Sequence, residues 1–250
     1  MGSIQQDLSI FNKFKFERPP VGVKFLFGKP AGIKRLDKTL ALCEMLKEAQ
    51  QSPPFYVDKE NFECVGPLIL GMAEPEPLFE SGQIGPRLEL FKEPRANNRI
   101  YYYIPRMIRD TVNYLVFSPL DKLSFTPDVL IVAANPTQAE IILRAMTYTT
   151  GKMWTAKGTS VIECAWLFVY PYLSGELNFT VTGLSSGMKA REVFPPDLLL
   201  ISIPWDLLST LVESLQDMKW VPIEHTRSRD ENSAEFKKLA EEIQREFQAK

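Results

Sequence analysis

The chain has 250 residues, 45% hydrophobic and 24% charged, and carries a net charge of −2 without a basic stripe. This supports a sizeable apolar core in one domain or two packed lobes, and it speaks against a nucleic-acid-binding surface. A single histidine, His225, and three dispersed cysteines, Cys43, Cys64 and Cys164, exclude a zinc site built on several histidines and argue against a disulfide framework.

The first twenty residues lack the basic start and long apolar run of a signal peptide. No stretch reaches the roughly 18 consecutive apolar residues of a membrane span. A soluble cytoplasmic protein with reduced thiols is expected.

In chain order, Ile4 to Phe16 has helical spacing at Ile4, Leu8, Phe11 and Phe14. PPVGVKFLFGKP reads as a strand, with Val21, Val23, Phe25 and Phe27 on one face and Lys24 on the other. IKRLDKTLALCEMLKEAQQSPP predicts a helix with Leu36, Leu40, Cys43 and Leu46 or Met45 inward. PFYVDKENFE is a short extended piece, and CVGPLILGM a buried turn or helix. PEPLFESGQIGPRLELFKEP predicts a helix broken near Gly82 to Pro86, and VNYLVFSPL a strand. The interleaved arginines and tyrosines of Arg87 to Arg109 carry acidic neighbours, so they do not read as a base-stacking surface.

Two segments share one design. PDVLIVAANPTQAEIILRAM and PDLLLISIPWDLLSTLVESL each run from Pro-Asp through an apolar strand and a proline into an amphipathic helix. Asn135 and Ser202 or Asp206 are candidate helix-start residues. Between these units lie a helix near Ser160 to Tyr170, a strand LNFTVTG, and a small-residue loop GLSSGMKAR. The fold class is therefore α+β or α/β: a mixed sheet flanked by helices, with two pseudo-repeated strand-helix units. Residues 1–222 form one globular domain, with 75–110 the boundary if it divides into two lobes. Residues 223–250 form a polar segment and a C-terminal helix. The stripe of Phe236, Leu239, Ile243 and Phe247 is expected to pack on the body or on a partner chain, a homo-oligomer being one such arrangement.

PPVGVKFL, ALCEMLKEA, FECVGPLILGM and IECAWLFVYPY, followed by GLSSGMKAR and LLLISIP, resemble in this order the family called domain of unknown function 169, from Pro19 to Lys219. The resemblance implies a protein of anaerobic archaea and bacteria and carries no biochemical activity with it. It also implies that Cys43, Cys64 and Cys164 occupy positions often held by cysteine. Ser185-Ser186-Gly187 falls where members often show Cys-Gly with a nearby arginine, to which Arg191 corresponds. Serine in that place departs from a four-cysteine site.

Four candidate sites follow. Cys43, Cys64 and Cys164 could converge on an iron-sulfur cluster, since thiolates are soft ligands and nearby glycines admit backbone N–H groups to sulfur. The alternative is three small buried residues. Ser185, Ser186 and Gly187, with Lys189 and Arg191, could bind an anion, as could the helix start in AANPTQAE; an ordinary helix cap is the alternative. Lys24 could be a tuned buried amine or a guard on an edge strand. Glu63 and Glu163, each directly before a cysteine, could serve in acid-base chemistry or be ordinary solvated carboxylates. Trp154, Trp166, Tyr170 and Trp205 read as core. The functional expectation is a small-molecule enzyme of anaerobic metabolism with an iron-sulfur cluster, or else a non-catalytic ligand-binding, sensor or accessory protein without metal.

Overall fold

The computed structural model describes residues 7–248 apart from Gly183. Its centre is a seven-stranded sheet in the order β2-β3-β4-β1-β5-β7-β6. The strands are β1 (Val21–Leu26), β2 (Lys34–Arg35), β3 (Phe55–Val57), β4 (Tyr114–Pro119), β5 (Val129–Ala134), β6 (Asn178–Val181) and β7 (Leu199–Pro204). All neighbours are antiparallel except β2 and β3. The helices are α1 (Leu42–Ala49), α2 (Gly66–Ile69), α3 (Pro77–Glu80), α4 (Ile84–Arg87), α5 (Pro94–Tyr103), α6 (Pro136–Tyr148), α7 (Tyr170–Ser174), α8 (Ser186–Ala190), α9 (Leu208–Asp217) and α10 (Arg229–Gln248).

The strands β5 and β7, apolar throughout except for Ser202, are buried on both faces because both faces of the sheet are covered. On one face α6 and α9 press Ala139, Ile142, Leu208 and Leu211 onto Leu130, Val132 and Ile203. On the other, Met45 and Leu46 of α1 and Leu167 and Phe168 before α7 cover Val21, Val23, Leu115, Phe117 and Ile131. The two strand-helix units expected from the sequence lie side by side, β5 antiparallel to β7 and α6 against α9. Asn135 caps α6, its side chain accepting from the Gln138 amide at 2.9 Å while Gln138 reaches back to the Asn135 amide. In the second unit Ser202 lies inside β7 with its hydroxyl buried and unpartnered, and a 3-10 turn, Trp205–Leu207, stands before α9.

Several boundaries differ from expectation. The helix predicted from Ile33 starts only at Leu42, because Lys34 and Arg35 pair with β3 and the Leu36 amide donates to the Tyr56 carbonyl. The N-terminal segment is a 3-10 helix, Ser9–Phe14, among the described residues; Ile4 lies outside them. Phe27 is past the end of β1 and exposed. The helix expected from Ser160 begins later, as a π-helical stretch Ala165–Val169 leading into α7. Pro171 lacks the N–H that an α-helix would supply one turn back, which favours the wider turn. GLSSGMKAR forms α8 at its serines rather than an open loop. Trp154 is 38% exposed rather than core, whereas Trp166 and Tyr170 are buried as expected. No residue of α10 is buried; its apolar stripe lies open instead of on the body.

Candidate functional site

Cys43 sits in the first turn of α1, Cys64 just before α2, and Cys164 at the head of the π-helical stretch. These segments are 21 and 100 residues apart, yet all three side chains line one pocket of about 210 Å³. Ile69 and Met188 add apolar wall. Phe79, Leu88 and Tyr101, from the 75–103 helices, form the far side. The stretch that the sequence marks as a lobe boundary thus closes the site.

The Cys64 sulfur accepts two backbone N–H groups, from Leu42 at 3.4 Å and from Gly66 at 3.3 Å. Both amides open helices and have no partner within them. Gly66 makes the approach possible: a Cβ there would stand 2.7 Å from the Phe62 ring and 3.3 Å from the Cys64 sulfur. Burial raises the Cys64 thiol above its ordinary value, and these two amides oppose it.

The Cys43 and Cys164 thiols both line the pocket and influence each other. Cys164 is raised well above its ordinary value by Cys43 and by burial. Cys43 is lowered, first by Cys164 and further by Arg191. The first turn of α1 also favours a thiolate at Cys43, whereas Cys164 follows the acidic Glu163. Arg191 lines the pocket; its guanidinium lies 3.6 Å from Glu44, whose other contact is the Ala41 amide at 2.9 Å. Among the described residues, no group of three His, Cys, Asp or Glu side chains stands close enough to grip a single metal ion. The three thiols share a cavity without forming a single-ion cage.

Ser185, Ser186 and Gly187 also line the pocket. The Ser186 amide is already given to the Ser160 carbonyl at 3.0 Å, which leaves Arg191 as the clearest anion-seeking group there. At AANPTQAE the Gln138 amide is used by its cap. Lys24 is on an interior strand, not an edge. Its ammonium donates to the Thr126 carbonyl at 2.7 Å and pairs with Asp128 at 3.6 Å, away from the thiols. Glu63 is exposed and does not line the pocket.

Glu163 is fully buried behind the wall that carries Cys164. Its Oε2 accepts from the Thr159 amide at 2.8 Å, and its Oε1 has no partner. Burial pushes its pKa up to about 7, opposed by the Thr159 amide. Ile162, also in the pocket wall, holds φ 55°, a left-handed conformation costly for a β-branched side chain. Sequence reasoning missed Ile162, since nothing in IECAW signals positive φ. It also missed Glu44, which is ordinary helix surface until Arg191 is placed beside it.

Comparison with known proteins is consistent with this order of motifs. An uncharacterized protein of Methanocaldococcus jannaschii, MJ0308, is 25% identical over 213 residues, covering 82% of this chain and 90% of that protein. No solved structure matches. The profile of DUF169, described as "Uncharacterised ArCR", matches residues 9–214, and the chain belongs to that family.

Proposed function

We propose that the protein is a small-molecule enzyme whose working site is the three-thiol pocket, and that its ligand combines an apolar body with an anionic group. The observation that carries this reading is the meeting of Cys43, Cys64 and Cys164, from three remote segments, at one apolar hollow with Arg191 in its wall. An apolar pocket with few convergent polar groups is the usual form of a ligand site. Free thiols of this kind persist in reducing, anaerobic chemistry. The non-catalytic alternative keeps the same pocket and ligand without turnover.

An iron-sulfur cluster is a second reading of the same thiols, favoured by the two N–H···S bonds at Cys64, since hydrogen bonds to sulfur tune such clusters. A cluster spreads its ligands wider than a single ion does. Protein purified without oxygen that absorbs between about 320 and 450 nm, with iron and sulfide in proportion, would establish it; colourless, iron-free protein would remove it.

The pocket itself is tested by thermal-shift screening of small carboxylates with apolar bodies. A Cβ at Gly187 meets nothing nearer than 3.8 Å, so Gly187→Phe fills the pocket with little strain. Compounds that stabilise the wild type and not this variant support the reading. Stabilisation equal in both places the ligand elsewhere.

A further inference from the structure

We propose that Cys43 and Cys164 form a redox-active dithiol that exchanges with a small-molecule disulfide bearing an apolar body and an anionic end. The proposal rests on the pocket reading above and takes the place of its cluster version.

Three features of the geometry carry it. Two thiols, Cys43 and Cys164, on elements far apart in sequence, line one cavity of about 210 Å³. They are not equivalent: Cys43 lies in the first turn of α1 and within the field of Arg191, while Cys164 follows a buried carboxyl. The third thiol, Cys64, is engaged by two backbone amides and stands outside the pair. One attacking sulfur, one resolving sulfur and one structural sulfur is a division of labour that thiol exchange requires. The apolar wall of Ile69, Phe79 and Leu88 suits a hydrocarbon body, and Arg191 suits a carboxylate.

The Cys43 thiolate attacks one sulfur of the substrate. That S–S bond breaks, a Cys43–substrate disulfide forms, and the departing sulfur leaves as a thiolate and takes up a proton. Cys164 gives up its proton and attacks the Cys43 sulfur, releasing the second substrate sulfur as a thiol. Two electrons pass from the protein dithiol to the substrate, which ends as two thiols, and Cys43–Cys164 ends as a disulfide. A low-molecular-weight thiol reductant returns the pair to its starting state.

The test uses the full chain, reduced and desalted without oxygen, with lipoate as probe because it joins a cyclic disulfide to an apolar arm and a carboxylate. Intact mass and peptide mapping are expected to show loss of two hydrogens, a Cys43–Cys164 cross-linked peptide, and one equivalent of dihydrolipoate. Cys164→Ser, with Cys164→Ala as a second form should the first fold poorly, should trap one lipoate on Cys43. Arg191→Gln should react about tenfold more slowly than wild type, as expected for a lost charge-assisted contact. An adduct on Cys64, or no adduct on Cys43 when Cys164 is replaced, overturns the dithiol. An iron-sulfur chromophore in the purified protein does so as well. Calorimetry of lipoate on the Cys43→Ser/Cys164→Ser double variant separates the two levels. Binding there, with no exchange in the wild type, sinks the exchange and keeps the pocket. No binding by any form sinks the pocket with it.

Discussion

Replacing Glu163 by glutamine should make the protein's stability less dependent on pH in the range where the wild type is weakened. The carboxyl is fully buried, with Oε1 unpartnered, and its pKa is lifted from 4.5 to about 7. Because the folded value is the higher one, the folded state holds a proton that the unfolded chain releases. The stability this confers is complete below about pH 4.5 and is lost as pH rises through about 7. At about 1.4 kcal/mol per pH unit the full span amounts to about 3 kcal/mol, and about 2 kcal/mol of it falls between pH 5 and pH 7.5. Glutamine resembles the protonated acid. Its oxygen can keep the Thr159 amide, and its NH₂ can donate to the Thr180 hydroxyl, which is otherwise buried without a partner. Urea unfolding of both proteins across that range, followed by tryptophan fluorescence, gives the difference curve. The variant should gain about 2 kcal/mol on the wild type from the acid end to the alkaline end. A difference constant with pH would show that Glu163 titrates as an ordinary solvated carboxyl, and the account of its burial would be wrong.

Other outcomes follow from single contacts. Gly66→Ala brings a methyl to 2.7 Å from the Phe62 ring and should cost about 1–3 kcal/mol in denaturant unfolding, with faster alkylation of Cys64 as its backbone donors shift. Asn61 is buried and donates to the Leu36 and Lys38 carbonyls at 2.8 Å each; Asn61→Ala leaves both unsatisfied and should cost about 2–4 kcal/mol. Truncation after Arg229 removes a helix with no buried residue, so the unfolding free energy of the remaining chain should change by less than about 0.5 kcal/mol. A larger loss would show that the apolar stripe of α10 is covered in solution.

The sheet and its two strand-helix units were legible because period-two and period-3.6 patterns report burial directly: β5 is apolar at every position, β7 at all but Ser202, and both are buried at nearly every one. Helix starts were legible where a side chain supplies the cap, as Asn135 does. They were not legible at Leu42, where the preceding residues carry a helix-compatible pattern but are claimed by β3 across the sheet. Nor was Lys24 legible: an isolated charge in an apolar strand suggests an edge, and only the fold supplies Asp128 and the Thr126 carbonyl on an interior one. The three cysteines could be named from the sequence, and Gly66 could be suspected. Their meeting at one pocket and the Glu44–Arg191 contact depend on chain crossings of 21 to 147 residues that no local pattern encodes.

The segment around Cys164 departs from local rules more than a mere core filler would need. An ordinary α-helix begun at Ser160 would bury a cysteine equally well. Instead Ile162 takes a left-handed backbone, Glu163 is buried with an oxygen unpaired, and the chain enters a π-helical stretch at Ala165. Each departure costs free energy, on the order of 1–3 kcal/mol for the Ile162 conformation alone, and such strain persists only where the surroundings enforce it. Here they do: Ala165, Leu167, Phe168 and Val169 are all fully buried on the sheet. The consequence of that enforcement is to set Cys164 and Ile162 in the pocket wall, where Cys43 also lies. Local rules tend to be broken where a site needs the geometry. In the described chain these three departures fall within four residues of one another, beside the same sulfur.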